Sequence, residues 1–262
     1  MGDQQKYINK LNGDRVLIIG GSSGIGYAVA EACIEYGCVV IISASSQAKA
    51  TKAHDSLRKA YPSATDRITS LSCDLAEAND LEANIAGLFQ EVSKTGPLDH
   101  IVFTAGDELV QIPITSVTLS VAQQAGLVRF FAPLLVAKHA SSHINPGPKS
   151  SITLTSGVGS HKMGSGGSIA GAYAAGLQGM TRALAVDMQP IRGNVVAPGP
   201  TDTPLWRMPS QHKQEVIEFL KTKLTTGQIG SPENVVETYL GVLRDWNCTG
   251  AVLSTNGGYL LL

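Results

Sequence analysis

Hydrophobic positions along the chain fall into short solid runs separated by longer stretches in which apolar residues recur every three or four places. The short runs are Val16–Ile19, Val39–Ser43, Ile68–Leu71, His100–Phe103, Ser151–Thr155, Asn194–Val196 and Ala251–Ser254. They lack the period-two alternation of a half-exposed strand, which predicts strands covered on both faces of a parallel sheet. The longer patterns predict helices over Ile25–Tyr36, Ala48–Ala60, Ala76–Ser93, Leu119–Ser142, Tyr173–Met188 and Pro232–Asp245. Ser231-Pro232-Glu233 opens the last with an N-cap, a proline suited to the first helical position and an acid near the positive dipole end. Pro133 falls inside the long fourth pattern and should kink or interrupt it, because it lacks the amide donor.

Strands alternating with helices from end to end predict one α/β domain, a Rossmann-like doubly wound parallel sheet of about seven strands with helices on both faces. Residues 1–13 read as a polar N-terminal arm and 14–262 as the domain. Residues 200–228 form the one insertion long enough to act as a lid.

Composition narrows the partners. Twenty basic residues against 21 acidic ones leave no field suited to nucleic acid or a charged membrane surface. No uninterrupted apolar run reaches the roughly 18 residues of a membrane span, and the first residues carry no apolar signal core. Cys33, Cys38, Cys73 and Cys248 show neither CxxC spacing nor a neighbouring histidine cluster, so free thiols are expected rather than a metal or disulfide. These features predict a cytoplasmic protein acting on a small molecule, with no metal.

The first strand runs into Gly20-Gly21-Ser22-Ser23-Gly24-Ile25-Gly26 and then a helix. Glycines at 20, 24 and 26 allow a tight turn and close approach of a pyrophosphate, and the helix start offers free amides and a positive dipole end. The second strand ends in Ser43-Ala44-Ser45-Ser46, followed by Lys49 and Lys52. No acid stands there to repel a ribose 2′-phosphate; Ser45 and Ser46 can donate to it and the lysines can neutralise it, which predicts NADP(H) over NAD(H).

The spacing Gly20-xxx-Gly24-x-Gly26 resembles that of the short-chain dehydrogenase/reductases. Cys73-Asp74-Leu75 matches their adenine-contacting segment, and Phe103-Thr104-Ala105-Gly106 keeps half of their Asn-Asn-Ala-Gly turn. Asn194 to Thr203, with Pro198, Gly199, Thr201 and Thr203, is similar to their nicotinamide-holding segment. The resemblance covers residues 14 to 262 and implies a homo-oligomer. Asp74 can also be read as a loop cap, and Thr203 as a turn residue.

Such enzymes use Asn, Ser, Tyr and Lys for catalysis. Aligned on Thr181-Arg182, this chain has Ala170 where the tyrosine belongs and Ala174 where the lysine belongs. No Tyr-x-x-x-Lys occurs anywhere; Tyr173 is the only tyrosine nearby, with Leu177 four residues on. Ser156 keeps the serine position, either as a substrate contact or as a polar strand end, and Arg129 replaces the asparagine. Arg129, Ser156 and Tyr173 are therefore the catalytic candidates. Asp107, His161 and Lys162 read as solvated loop residues, Trp206 as a lid residue, and His139 and His143 as structural or surface residues.

Ketone reduction benefits from a proton donor by about 10²–10⁴-fold, whereas hydride addition to an iminium carbon yields a neutral amine and needs none. Runs such as Val16–Gly21, His100–Ala105 and Ser254–Gly258 resemble the fungal reductase/Diels–Alderases of malbrancheamide and paraherquamide biosynthesis. That resemblance implies NADPH-dependent reduction of an indole-derived iminium, followed by [4+2] cyclisation. The group's assisting aspartate after the fifth strand has no counterpart in Lys162–Gly167. A non-redox cyclase or isomerase with NADP as scaffold, and an NADP(H)-binding pseudoenzyme, stand as alternatives.

Overall fold

A computed structural model describes residues 6–262. Seven strands form one parallel sheet in the order β3-β2-β1-β4-β5-β6-β7. They are β1 (Arg15–Ile19), β2 (Val39–Ala44), β3 (Ile68–Ser72), β4 (His100–Phe103), β5 (Ser151–Thr155), β6 (Arg192–Pro198) and β7 (Val252–Thr255). Alternate residues of β1 serve opposite faces: Leu17 and Ile19 join one core cluster, Val16 and Ile18 the other. Helices α1 (Gly24–Glu35), α2 (Gln47–Ala60) and α8 (Pro232–Arg244) cover the second cluster. Helices α3 (Leu81–Ser93), α5 (Ala132–Ala140) and α6 (Ser168–Asp187) cover the first, and the more exposed α4 (Leu119–Gly126) precedes α5. The strand order reverses between β1 and β4, which opens a crevice at their carboxyl ends.

Several boundaries depart from the sequence pattern. The arm predicted over 1–13 lies partly outside the described residues, and its end is not a free arm: Leu11 is fully buried and its carbonyl accepts from the Cys38 thiol. Helix α3 starts at Leu81 rather than Ala76, because Asp74 Oδ1 accepts from the Ala76 amide and Asn84 Nδ2 donates to the Asp74 carbonyl. Those bonds hold the intervening residues as a turn. Helix α6 starts at Ser168 rather than Tyr173, since burying Ile169 and Ala170 extends it by five residues. The lid contains a helix the pattern did not reveal, α7 (Ser210–Lys221). Only Ile217 of α7 is buried, and its apolar residues Val216, Ile217, Phe219 and Leu220 are confined to the second half of a helix that opens on a polar turn.

The long fourth pattern is α4 and α5 joined by a π-helical turn over Leu127–Phe131. Pro133 stands just behind it and cannot donate to the carbonyl of Arg129, so the helix widens there instead of breaking. The combined span Leu119–Ala140 is 22 residues, long and apolar enough by composition to cross a membrane. Its Leu127, Val128, Ala132, Val136, Ala137 and Ala140 instead pack into the sheet's core cluster. His139 and His143 stack against Phe89 at 6.1 and 5.3 Å, tying α5 to α3.

Arg192, at the start of β6, is buried and donates to five main-chain carbonyls: Pro148, Lys149, Val242, Leu243 and Cys248. Burial pulls its pKa below the ordinary guanidinium value, and the carbonyls at the end of α8 complement its charge. Replacing it by methionine would leave those carbonyls without a buried partner. Arg192→Met is expected to lower the unfolding free energy by about 3 kcal/mol in urea denaturation.

Candidate functional site

The carboxyl end of β1 carries the tightest backbone contacts in the fold. Gly20 has φ +90°, and a Cβ there would lie 2.5 Å from the Ala105 amide. A Cβ on Gly26 would collide with Thr104 Oγ1 and the Gly20 carbonyl. Thr104 donates from both its amide and its hydroxyl to the Ile19 carbonyl, at 2.8 and 3.1 Å. A threonine thus does what a strand-end side chain must do here: it locks β4 to β1.

Helix α1 begins over this cradle. Its N-cap Ser23 makes no side-chain cap bond, and no acid occupies its first turn. The caps of α2, α4 and α8 do accept from backbone amides. The start of α1, at Ser22, Ser23, Gly24 and Ile25, thus has no side-chain cap, and an uncapped helix start is the feature by which main-chain amides hold an anion. A glycine-lined concavity ending in uncapped amides is the environment a pyrophosphate requires, and the residues present fit a dinucleotide.

On one side of the crevice stand Ser45 and Ser46, both exposed just past β2. Lys49 Nζ donates to Ser45 Oγ at 2.9 Å, and Ser46 Oγ caps α2 by accepting from the Lys49 amide. Asp74 is exposed with one carboxylate oxygen engaged by Ala76, so its loop-capping role is realised and the other oxygen stays available. Leu75 is buried, which leaves only its main chain to face an adenine.

On the other side lie the ends of β4, β5 and β6. Ala105 and Gly106 follow β4, with Gly106 exposed. Pro198 ends β6, and the Gly199 amide donates to the Thr255 carbonyl. A Cβ on Gly199 would lie 2.6 Å from Asn256 Cα. Thr201 is buried and its hydroxyl donates to the Gly199 carbonyl at 2.9 Å. Thr203, 9% exposed, is packed so that a Cβ on Gly24 would lie 3.3 Å from its side chain. The segment after β6 is closed at its base by the pairing of Thr201 with Gly230, and Lys213 on α7 is ion-paired with Asp202. Trp206 is half-buried within it.

The catalytic candidates do not converge as a proton relay. Tyr173 donates its hydroxyl to the Ala122 carbonyl at 2.9 Å, and its ring packs on Phe130 and Phe131. The tyrosine fastens α6 to α4, with its proton engaged by the Ala122 carbonyl. Ser156 donates to the Ala174 carbonyl at 2.8 Å. What it turns towards a ligand is a lone pair, not a proton.

Arg129 lies in the π turn. One extra residue in that turn swings the side chains ahead of it by roughly 100° relative to α5. Its guanidinium lies over Gly106, where a Cβ would sit 3.1 Å from both Nη1 and Nη2. Nε pairs with Asp107 Oδ1 at 2.9 Å, and Nη2 donates to the Asp107 carbonyl. Burial pulls the Arg129 pKa down and Asp107 opposes it; an arginine so placed stays charged. Asp107, expected as a solvated loop residue, is instead the partner of the one cation at this turn. An acid directly after the Ala-Gly turn was the only sequence sign of it. Lys162, on the loop after β5, donates to the main-chain oxygens of Tyr259 and Leu262.

Comparison with known proteins agrees with this geometry. Residues 7–262 match the SDR-like Rossmann domain. The chain is 45% identical over 264 residues to the short-chain dehydrogenase/reductase fsr5 of Gibberella fujikuroi, covering 100% of both. It is 42% identical over 257 residues to the short-chain dehydrogenase/reductase malC of Malbranchea aurantiaca, covering 96% of each. The solved structure of the MalC reductase/Diels–Alderase superposes with a TM-score of 0.92 at 40% identity, over 98% of this chain and 100% of that one. With its parallel sheet, glycine cradle and full-length relatives, the chain belongs to the short-chain dehydrogenase/reductases, oxidoreductases that bind a nicotinamide cofactor.

Proposed function

We propose that this protein is an NADPH-dependent reductase that adds hydride to an iminium-like carbon of a small molecule in fungal specialised metabolism. The observation that carries this reading is the missing acid: Ala170 and Ala174 replace the tyrosine and lysine, and Tyr173 and Ser156 both donate their protons to main-chain carbonyls. Reduced nicotinamide, when bound, supplies the hydride. The hydride and its electron pair form a C–H bond at the iminium carbon while the C=N π pair becomes the nitrogen lone pair. Charge balances without any proton, so the residues present suffice.

The chain's own side chains then bind and orient. Thr201, Thr203 and the main chain of Ala105, Gly106 and Gly199 hold the nicotinamide side. Ser156 offers an acceptor to a cationic substrate, and Arg129 stands over Gly106 at the pocket wall. The segment 200–228, with α7, covers the site from water. Lys49 and Ser45, bonded to each other beside the α2 N-terminus, suit a ribose 2′-phosphate and support NADPH as the cofactor. A [4+2] cyclisation in the same pocket is the second reading, favoured by the full-length similarity to the MalC reductase/Diels–Alderase. We also place the protein in the cytoplasm, where its free thiols are stable, and assign the exposed Leu134 and Val186 on the long helices to a homo-oligomer contact.

Absorbance at 340 nm tests the chemistry directly. Preformed cyclic iminium ions are expected to drive NADPH oxidation and simple ketones to drive none; ketone turnover would show that a proton donor operates. Because no proton enters the chemical step, kcat with iminium should be flat from about pH 6 to 9, the range in which an acid-dependent enzyme would titrate. Tyr173→Phe should keep its kcat and lose about 1 kcal/mol of stability, the worth of one hydrogen bond, in thermal unfolding. Lys49→Ala should weaken NADPH by about tenfold, the equivalent of about 1.4 kcal/mol, with NADH affinity unchanged in fluorescence titration.

A further inference from the structure

The Arg129–Asp107 pair raises a question that the reductase reading leaves open. A buried guanidinium at the wall of the nicotinamide pocket would repel a cationic substrate. Like charges a few ångströms apart repel strongly at the effective dielectric of a protein surface. An iminium site with a bare arginine would work against its own substrate.

The structure answers this with geometry. Arg129 is 24% exposed and Asp107 41% exposed. Nε and Oδ1, the two atoms that face each other at 2.9 Å, are both shielded from solvent. The exposure of Asp107 therefore belongs to the rest of its side chain, including the second carboxylate oxygen. Arg129 is held by one hydrogen bond, from Nη2 to the Asp107 carbonyl, and by the charge of the Asp107 carboxylate, whose Oδ1 lies 2.9 Å from Nε without hydrogen-bond alignment, while Gly106 leaves room for the guanidinium plane. Among the described residues neither Nη1 nor Nε has a hydrogen-bond partner. Glu108, the next acid along, is exposed and makes no ion pair among the described residues.

We propose that Asp107 is the counter-ion of the substrate pocket: it positions Arg129 over Gly106, cancels its charge, and turns its second oxygen towards a cationic nitrogen. This rests on the reading of the protein as an iminium reductase and adds a selectivity element to it. The preferred substrate is then a cation, and a neutral molecule of the same shape binds less well.

The test is calorimetric binding of a non-reducible cation to the enzyme–NADPH complex, independent of turnover. The probe is 2,2-dimethyl-1,2,3,4-tetrahydroisoquinolinium, compared with its neutral carbon isostere. Wild type should prefer the cation. Asp107→Asn should weaken the cation by about tenfold or more while leaving the isostere and NADPH unchanged. Asp107→Glu should restore most of the loss. Arg129→Gln added to Asp107→Asn should recover part of the cation affinity, because the unpaired positive charge has gone.

Equal loss of cation and isostere in Asp107→Asn, or strictly additive losses in the double variant, would mean that Asp107 only shapes the loop. Absence of any cation preference in wild type would also overturn the proposal. Failure of the reductase reading looks different. NADPH would stay unoxidised with 2-methyl-3,4-dihydroisoquinolinium, although the quaternary cation still bound in an Asp107-dependent way.

Discussion

Everything at the site depends on how closely main chain approaches main chain where β1 meets β4. The sheet reverses its winding there, and three segments must share a space with no room for side chains. Gly20 gives way to the Ala105 backbone, Gly26 to the Gly20 carbonyl, and Thr104 closes the gap with two bonds to Ile19. Any larger residue would push α1 away from the strand ends. The uncapped amides of α1 would then no longer point into the crevice, and the two halves of a dinucleotide site would lose their common frame.

A second constraint acts at the opposite wall. Pro133 removes one donor from a long helix, and the helix responds by widening into a π turn rather than ending. Arg129 lies in that turn, so a defect in backbone hydrogen bonding also sets the direction of the residue that replaces the usual asparagine. Asp107 then determines what the arginine can do. Paired through a carboxylate and a carbonyl, the guanidinium is held against Gly106 and is not free to roam. The wall is polar but close to neutral, a different environment from the proton-donating wall of a ketone reductase.

The same economy runs through the tyrosine and serine. Both hydroxyls donate to carbonyls of neighbouring helices, Tyr173 to Ala122 and Ser156 to Ala174. Where the family's lysine would stand, the helix offers only an alanine and its main-chain oxygen. The pocket keeps the frame that binds and orients, and it lacks the relay that moves protons. Addition of hydride to an already cationic carbon is the chemistry we propose for such a frame.

Much of this was legible in the residues themselves. Solid apolar runs require strands buried on both faces, so the parallel sheet and its order of elements followed from the pattern. Glycine spacing between a strand and a helix marked the phosphate cradle, and the absence of Tyr-x-x-x-Lys is a property of the sequence alone. Other features needed the folded chain. Helix α7 is short, buries only Ile217 and keeps its apolar residues in its second half, and α3 starts late because a carboxylate bonds an amide two residues on. A start set by one side-chain hydrogen bond has no periodicity to read. The pairing of Asp107 with Arg129 joins residues 22 positions apart across a turn and a helix, and the proton of Tyr173 is engaged 51 positions away. Local sequence determines which groups exist and which backbone shapes are possible. Which charge meets which, and which proton is already taken, is decided only when the sheet brings distant segments together.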